Sequence, residues 1–188
     1  MKEYRLTTDQ VKEMADRLRV GDRVLLSGTV YTSRDAAHKR IFEAMEKGDP
    51  LPYALPGAVI YYAGPTPTPE GLPIGSCGPT TSGRMDPYTP KLYDLGVAAT
   101  IGKGERSRDV VNAIIRNHAV YFCAIGGAGA LAAMSITDCQ VIAFDDLGCE
   151  SVKRLTLHDF PLIVGVDCTG GSIFEHGVQN AVSVLYLA

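Results

Sequence analysis

The sequence predicts a mixed α/β domain, on three observations. Short apolar, β-rich runs alternate with stretches of helical periodicity, and the strand-like runs crowd toward the C-terminal half. A length of 188 residues fits one domain at roughly 150 residues each. A hydrophobic content of 46% against 21% charged residues builds a core without disulfide staples.

The first residues read as a strand. A helix follows, opened by a Thr7 to Gln10 capping box and carried by Val11, Met14 and Leu18. Gly21-Asp22 is a turn and Val24–Tyr31 is β-rich. A second helix runs from Ser33 to about Lys47 and stops at Gly48. Pro50–Pro56 is a loop and Ala58–Ala63 a strand. Gly64–Pro90, rich in Gly, Pro, Thr and Ser, is long for a connection, and loops of that length are usually functional or disordered. A short helix (Pro90–Leu95), a strand (Val97–Ile101), a Gly-Lys-Gly turn and a helix (Ser107–Asn117) come next. Val120–Ile125 is a buried strand running into Gly126–Gly129. Thr137-Asp138 reads as a turn, with strands near Gln140–Phe144, Arg154–Leu157, Leu162–Val166 and Ala181–Leu187.

The net charge of −3 and the lack of a basic stripe argue against nucleic acid as a partner. The longest apolar runs fall far short of the roughly 20 residues of a membrane span, and the charged start has no signal-peptide pattern. The five cysteines are odd in number, widely spaced and without a CxxC, which disfavours a disulfide framework or a self-contained zinc site. A reducing, cytoplasmic setting is the simplest reading.

Four features depart from a bland domain. The Ser33–Lys47 helix has one apolar and one charged face, yet Arg34 and His38 fall on the apolar side. An arginine in the first helical turn opposes the helix dipole. Either an anion binds there, or Arg34 pairs with a carboxylate at the edge of the core and His38 is a satisfied core histidine. In Ser76–Asp86, four hydroxyls, a thiol, two glycines and Arg84 share one loop. Small residues let a ligand approach the backbone, hydroxyls bind carboxylates or relay protons, and Arg84, oriented by Asp86, can grip a carboxylate with two bonds. The alternative is a turn with an N-capping threonine. Lys103 between two glycines is well placed to reach a ligand, or is a solvated turn lysine. Gly127–Ala132 matches GxGxxA, with Asp145 18 residues beyond Gly127. This is the dinucleotide fingerprint on paper, but the intervening helix is too short for a Rossmann crossover. From the residues alone, Arg34, Arg84 and Lys103 can neutralise a small dianion with Thr80 and Thr81 at its reacting centre. A strong acid–base pair or a metal set is missing.

The segments Ser27–Arg40, Ala63-Gly64-Pro65, Gly78–Asp86 and Gly102-Lys103-Gly104 resemble the C-terminal domain of class I fumarases. They equally resemble the β subunits of two-subunit fumarases and L-tartrate dehydratases. The likeness runs in order over most of the chain, so residues 1–188 read as a single domain of fumarase β-subunit type. The resemblance implies a swivelling β/β/α domain and reversible hydration of fumarate to L-malate, a hydro-lyase reaction of the tricarboxylic acid cycle. It implies a [4Fe-4S] cluster acting as Lewis acid, held by cysteines of an α subunit and not by this chain, in an α2β2 assembly. By the same resemblance Arg34, Arg84 and Lys103 bind substrate carboxylates, and Thr80 and Thr81 sit at the reacting carbons. Thr80 corresponds to the proposed base, activated by an α-subunit aspartate, because a free hydroxyl is a very weak base. Asp35, His38 and Asp86 support the binders, and no residue here ligates metal. The Pro65–Gly75 loop and the Arg84-Met85-Asp86 ending favour fumarate over tartrate. Two readings of other classes stand beside it: an NAD-dependent oxidoreductase built on Gly127–Ala132, and a non-catalytic dicarboxylate-binding module.

Overall fold

Four short apolar strands set the frame: β2 (Arg23–Thr32), β3 (Val59–Tyr61), β4 (Ala99–Gly102) and β5 (Val120–Cys123), paired in that order and parallel. The computed structural model describes residues 1–175. Strand β1 (Glu3–Thr7) pairs parallel with the first half of β2. The chain returns through β6 (Ile136–Ala143) and the 15-residue β7 (Val152–Val166). One edge of β7 runs antiparallel to β2, and the other pairs with β6 and then β5. The pairings therefore close a circuit, β2-β3-β4-β5-β7-β2, with β1 and β6 outside it.

Side chains alternate across these strands with period two, and both faces are buried. Val24, Leu26, Val59, Tyr61, Ile101, Phe122, Leu155 and Val164 share one apolar cluster. Ile60, Tyr62, Tyr121, Val152 and Val166 face the other way, into a second cluster. There they meet helices α2 (Asp35–Lys47), α3 (Thr89–Asp94) and α4 (Arg108–Arg116). Ile41 of α2 is 1% exposed, a burial worth roughly 2 kcal/mol. Gly48 closes α2 with φ +72, a left-handed turn that costs a glycine nothing, and its N–H reaches the last carbonyls. Ser107 caps α4 by accepting from Val110 N. Helix α1 is a single turn, Val11–Met14, and α5 spans Gly129–Met134.

Three expectations are corrected. Thr137 and Asp138 lie within β6 rather than a turn, because pairing with β7 outweighs their turn preference. Arg154–Leu157 and Leu162–Val166 are one strand. Asp159 (φ +47) bends it, and β2 answers with a register shift between Leu26 and Gly28, so pairing resumes through Pro161. Finally, β6 does not return beside β5, so the β5–α5–β6 segment is no dinucleotide-binding βαβ unit. The expected strand Ala181–Leu187 lies outside the described residues. No helix among the described residues is long and apolar enough to cross a membrane.

Candidate active site at the carboxyl ends of the parallel strands

Parallel strands send their C-terminal ends to one rim, the usual place for a ligand in an open α/β sheet. Arg34 follows β2, the loop carrying Thr80, Thr81 and Arg84 follows β3, and Lys103 follows β4. Backbone hydrogen bonds dock this loop. Thr80 N donates to Tyr62 O (2.7 Å), Lys103 N to Thr80 O (3.2 Å) and Ser82 N to Lys103 O (2.8 Å). Thr81 and Lys103 thus pair as a parallel bridge. The approach requires Gly102, since a Cβ there would lie 2.0 Å from Ser82 Oγ. Buried Ser82 is 2.9 Å from Tyr121 Oη, which in turn donates to Gly104 O (2.8 Å). Lys103 is exposed, and its stem passes Gly126, where a Cβ would sit 3.3 Å from Cδ.

Arg84 is held from α2. Its Nε and Nη2 donate to the two carboxylate oxygens of Asp35 at 3.0 and 2.7 Å, a bidentate clamp. Asp86 does not orient Arg84, contrary to the sequence expectation. It accepts from Arg106 Nε (2.8 Å) and Ser107 N (2.6 Å), because buried Arg106 outcompetes a solvated partner. Arg106 also donates to Thr89 and Thr100 and lies over the rings of Tyr62 and Tyr121. It is a buried brace under the loop, which sequence reasoning missed.

Arg34 N-caps α2 with extended backbone and is largely buried. Its Nη2 lies 3.3 Å from Glu150 Oε1 and its Nε 3.9 Å from Asp35 Oδ2, while Nε has no hydrogen-bond partner. The guanidinium packs over Gly64, where a Cβ would come within 2.7 Å of Nη1. The other oxygen of Glu150 accepts from Ala36 N (2.9 Å) in the first turn of α2. The helix start therefore receives an anion from the protein itself, the carboxylate-pairing alternative for Arg34. Glu150 rides on a 3-10 turn, Asp145–Glu150, whose neighbours Gly148 O and Ser151 Oγ accept from Lys153 Nζ (3.0 and 2.6 Å). Burial lowers the pKa of that lysine.

His38 is fully buried beside Tyr62 and Tyr88. Its Nδ1 donates to Arg34 O (2.8 Å), which fixes the tautomer and leaves Nε2 bare and unpartnered. Burial pulls its pKa down to about 4, so it is neutral near pH 7 and positions the Arg34 backbone rather than exchanging protons. Buried Cys77 has its thiol pushed up to about 12 by burial, so it stays protonated. The rim thus gathers Arg34, Arg84, Lys103, Thr80 and Thr81 above Asp35 and Glu150: three cations, two anions and two hydroxyls. Among the described residues a single group of three metal-capable side chains converges, and it contains one cysteine.

The family described as fumarase C-terminus matches residues 1–177. The chain belongs to that family. It is 41% identical over 169 residues to fumarate hydratase 2 of Leishmania major, covering 89% of this chain and 30% of that protein. It is 39% identical over 163 residues to the anaerobic class I fumarate hydratase of Escherichia coli, covering 86% of this chain and 30% of that protein. A Methanocaldococcus jannaschii protein provisionally named L(+)-tartrate dehydratase subunit beta is 37% identical over 177 residues, covering 91% of this chain and 89% of that protein. This fumarase C-terminal chain therefore spans about a third of the length of the fumarate hydratases it matches, and most of the relative named as a beta subunit.

Proposed function

We propose that this chain is the β subunit of a two-subunit iron–sulfur fumarate hydratase and supplies half of its active site. The supporting observation is the single rim on which Arg34, Thr80, Thr81, Arg84 and Lys103 meet, in a chain of the fumarase C-terminal family. The three cations exceed Asp35 and Glu150 by one charge, so a substrate dianion leaves the rim close to neutral with a partner's help. Arg34 and the exposed Lys103 and Arg84 grip and orient its carboxylates. Hydration adds a hydroxyl to one alkene carbon and a proton to the other. In the reverse direction Thr80 takes the proton from the carbon next to the departing hydroxyl. The proton and the hydroxide lost from the neighbouring carbon together make up the water released. An unaided threonine is too weak a base, so a carboxylate from the α portion activates it, accepting the hydroxyl proton as Thr80 takes the substrate's.

The [4Fe-4S] cluster is assigned to an α subunit, because the cysteines here do not gather around a common point. An α2β2 assembly, a swivelling motion of this domain against α, and a reducing, cytoplasmic setting complete the proposal. The five cysteines are free. An exposed apolar strip supports a partner. Ile125 and Leu131 (both 59% exposed), Met134 (80%) and Leu72 (57%) surround α5, none of whose residues is buried.

L-tartrate dehydratase is the second reading, favoured by one observation: the relative of matching length carries that name. The test is anaerobic co-purification of the tagged chain from its native cells, followed by loss of fumarate absorbance. Fumarate consumption by a complex with a larger, iron-containing partner supports the proposal. Consumption of tartrate alone replaces the substrate. A chain that comes down alone and inert overturns the subunit reading.

A further inference from the structure

Away from the rim, at the opposite ends of the same strands, three side chains of different chemistry face one another. Asp16 follows α1, His118 precedes β5, and Cys168 follows β7. His118 Nδ1 lies 2.7 Å from Asp16 Oδ1, and Cys168 Sγ lies 3.5 Å from that same oxygen. All three ligand atoms fall within 4.8 Å of one another. The thiol donates to Ala15 O (3.4 Å) and to the Asp16 carboxylate, not to the imidazole, so this is no nucleophile and base pair.

We propose that Asp16, His118 and Cys168 bind a borderline-soft divalent metal ion, zinc(II) by preference. The argument is the donor set. A carboxylate, an imidazole and a thiolate are three of the ligand types that tetrahedral zinc takes, with water at the fourth position. Metal–ligand bonds of about 2.0 Å to O and N and 2.3 Å to S need ligand atoms roughly 3.3 to 3.6 Å apart. The Asp16–Cys168 separation already meets this, and the Asp16–His118 edge must open by about half an ångström. Asp16 and His118 have side chains 68% and 66% exposed, free to make that adjustment, while Cys168 is anchored at 7% exposure. The backbone holds two of the three residues in place. His118 takes the left-handed position (φ +46) that ends α4, its N–H donating to Ile115 O, and Asp167 fixes the Cys168 turn by accepting from Val20 N, Thr169 N and Gly171 N. The nearest cations are occupied with carbonyl oxygens: Lys12 with those of Asn117 and His118, and Arg19 with those of Asp16 and Leu18. Binding displaces the thiol proton to solvent and puts a positive charge against Asp16. The ion would tie together segments 102 and 152 residues apart, so it acts as a clip on the fold.

The test uses the full chain, freed of metal, and titrates it with Co2+ and then Zn2+. One Co2+ per chain is expected, with a sulfur-to-metal charge-transfer band and tetrahedral d–d bands that Zn2+ erases. Cys168→Ser and His118→Asn should abolish the bands, while Cys149→Ser, at an exposed cysteine outside the group, should keep them. Zn2+ at about a hundred times its dissociation constant should raise the melting temperature by roughly 5 to 10 °C in the parent chain and not in His118→Asn. His118→Asn changes an exposed side chain, so it tests the site even where Cys168→Ser fails to fold. No charge-transfer band, or a band that survives both Cys168→Ser and His118→Asn, overturns the proposal.

Discussion

The two ends of the parallel strands carry charge for opposite purposes. At the base, carboxylates are spent on backbone amides. Asp22 accepts from Lys2 N and Arg19 N, and Asp167 from Val20 N, Thr169 N and Gly171 N. At the rim, Arg84 and Lys103 stand exposed on loops and can donate outward. A polar group that closes its own hydrogen bonds stabilises the fold, and one left open can bind something else. Under the proposed function, the contrast separates residues that hold this domain from residues that bind substrate.

The sharpest way to break that contrast is at Lys103. Lys103→Ala or Arg34→Ala should lower turnover of the assembled complex on the order of 10²- to 10³-fold with assembly intact, and Lys103→Ala should leave the melting temperature unchanged. Near-normal kcat/KM in both variants would remove the rim from catalysis. The reciprocal experiment is Asp167→Asn at the base. It turns an acceptor toward Val20 N into a donor and should cost about 2 kcal/mol in denaturant unfolding, with turnover per folded complex intact. A loss of activity at full stability would contradict the division.

A third experiment reads pH. The folded pKa of His38, about 4, lies below its ordinary 6.5, so the unfolded chain binds the extra proton first. Stability is therefore full above pH 6.5 and falls as pH drops toward 4, by about 2 kcal/mol between pH 7 and 5. His38→Gln should flatten that slope in urea unfolding, and an unchanged slope would mean that other groups carry it. The smallest effect is expected at Asp35. Asp35→Asn weakens the clamp on Arg84 and should lower kcat/KM about tenfold, mostly through KM, with folding unaffected.

How much of this was legible in sequence depended on whether the deciding contact was local. Helix α2 with its Gly48 stop, helix α4 with Ser107 and strand β2 were readable, because cap, stripe and turn lie within a few residues. Strand β7 was not, because only β2 across the sheet tells Asp159 and Pro161 that the strand continues. The rim divides the same way. Thr80, Thr81, Arg84 and Lys103 stood out through small and hydroxyl neighbours, and a family resemblance reinforced them. The partners that set their charge did not. Glu150 reaches the start of α2 across 114 residues, and Arg106 takes Asp86 from 20 residues away. No local pattern announces either, although an arginine at a helix start asks for a carboxylate somewhere.

The closed circuit of strands also fixes an order of events. Arg34, Thr80, Arg84, Lys103 and Glu150 all precede Val152, yet the other edges of β2 and β5 meet through β7. Until β7 is added, β2 and β5 each present an unpaired edge. During synthesis the chain carries its rim residues before β7 has emerged, the stage at which those edges are most exposed to wrong pairing. The rim residues are translated early, and β7 decides when the circuit beneath them closes.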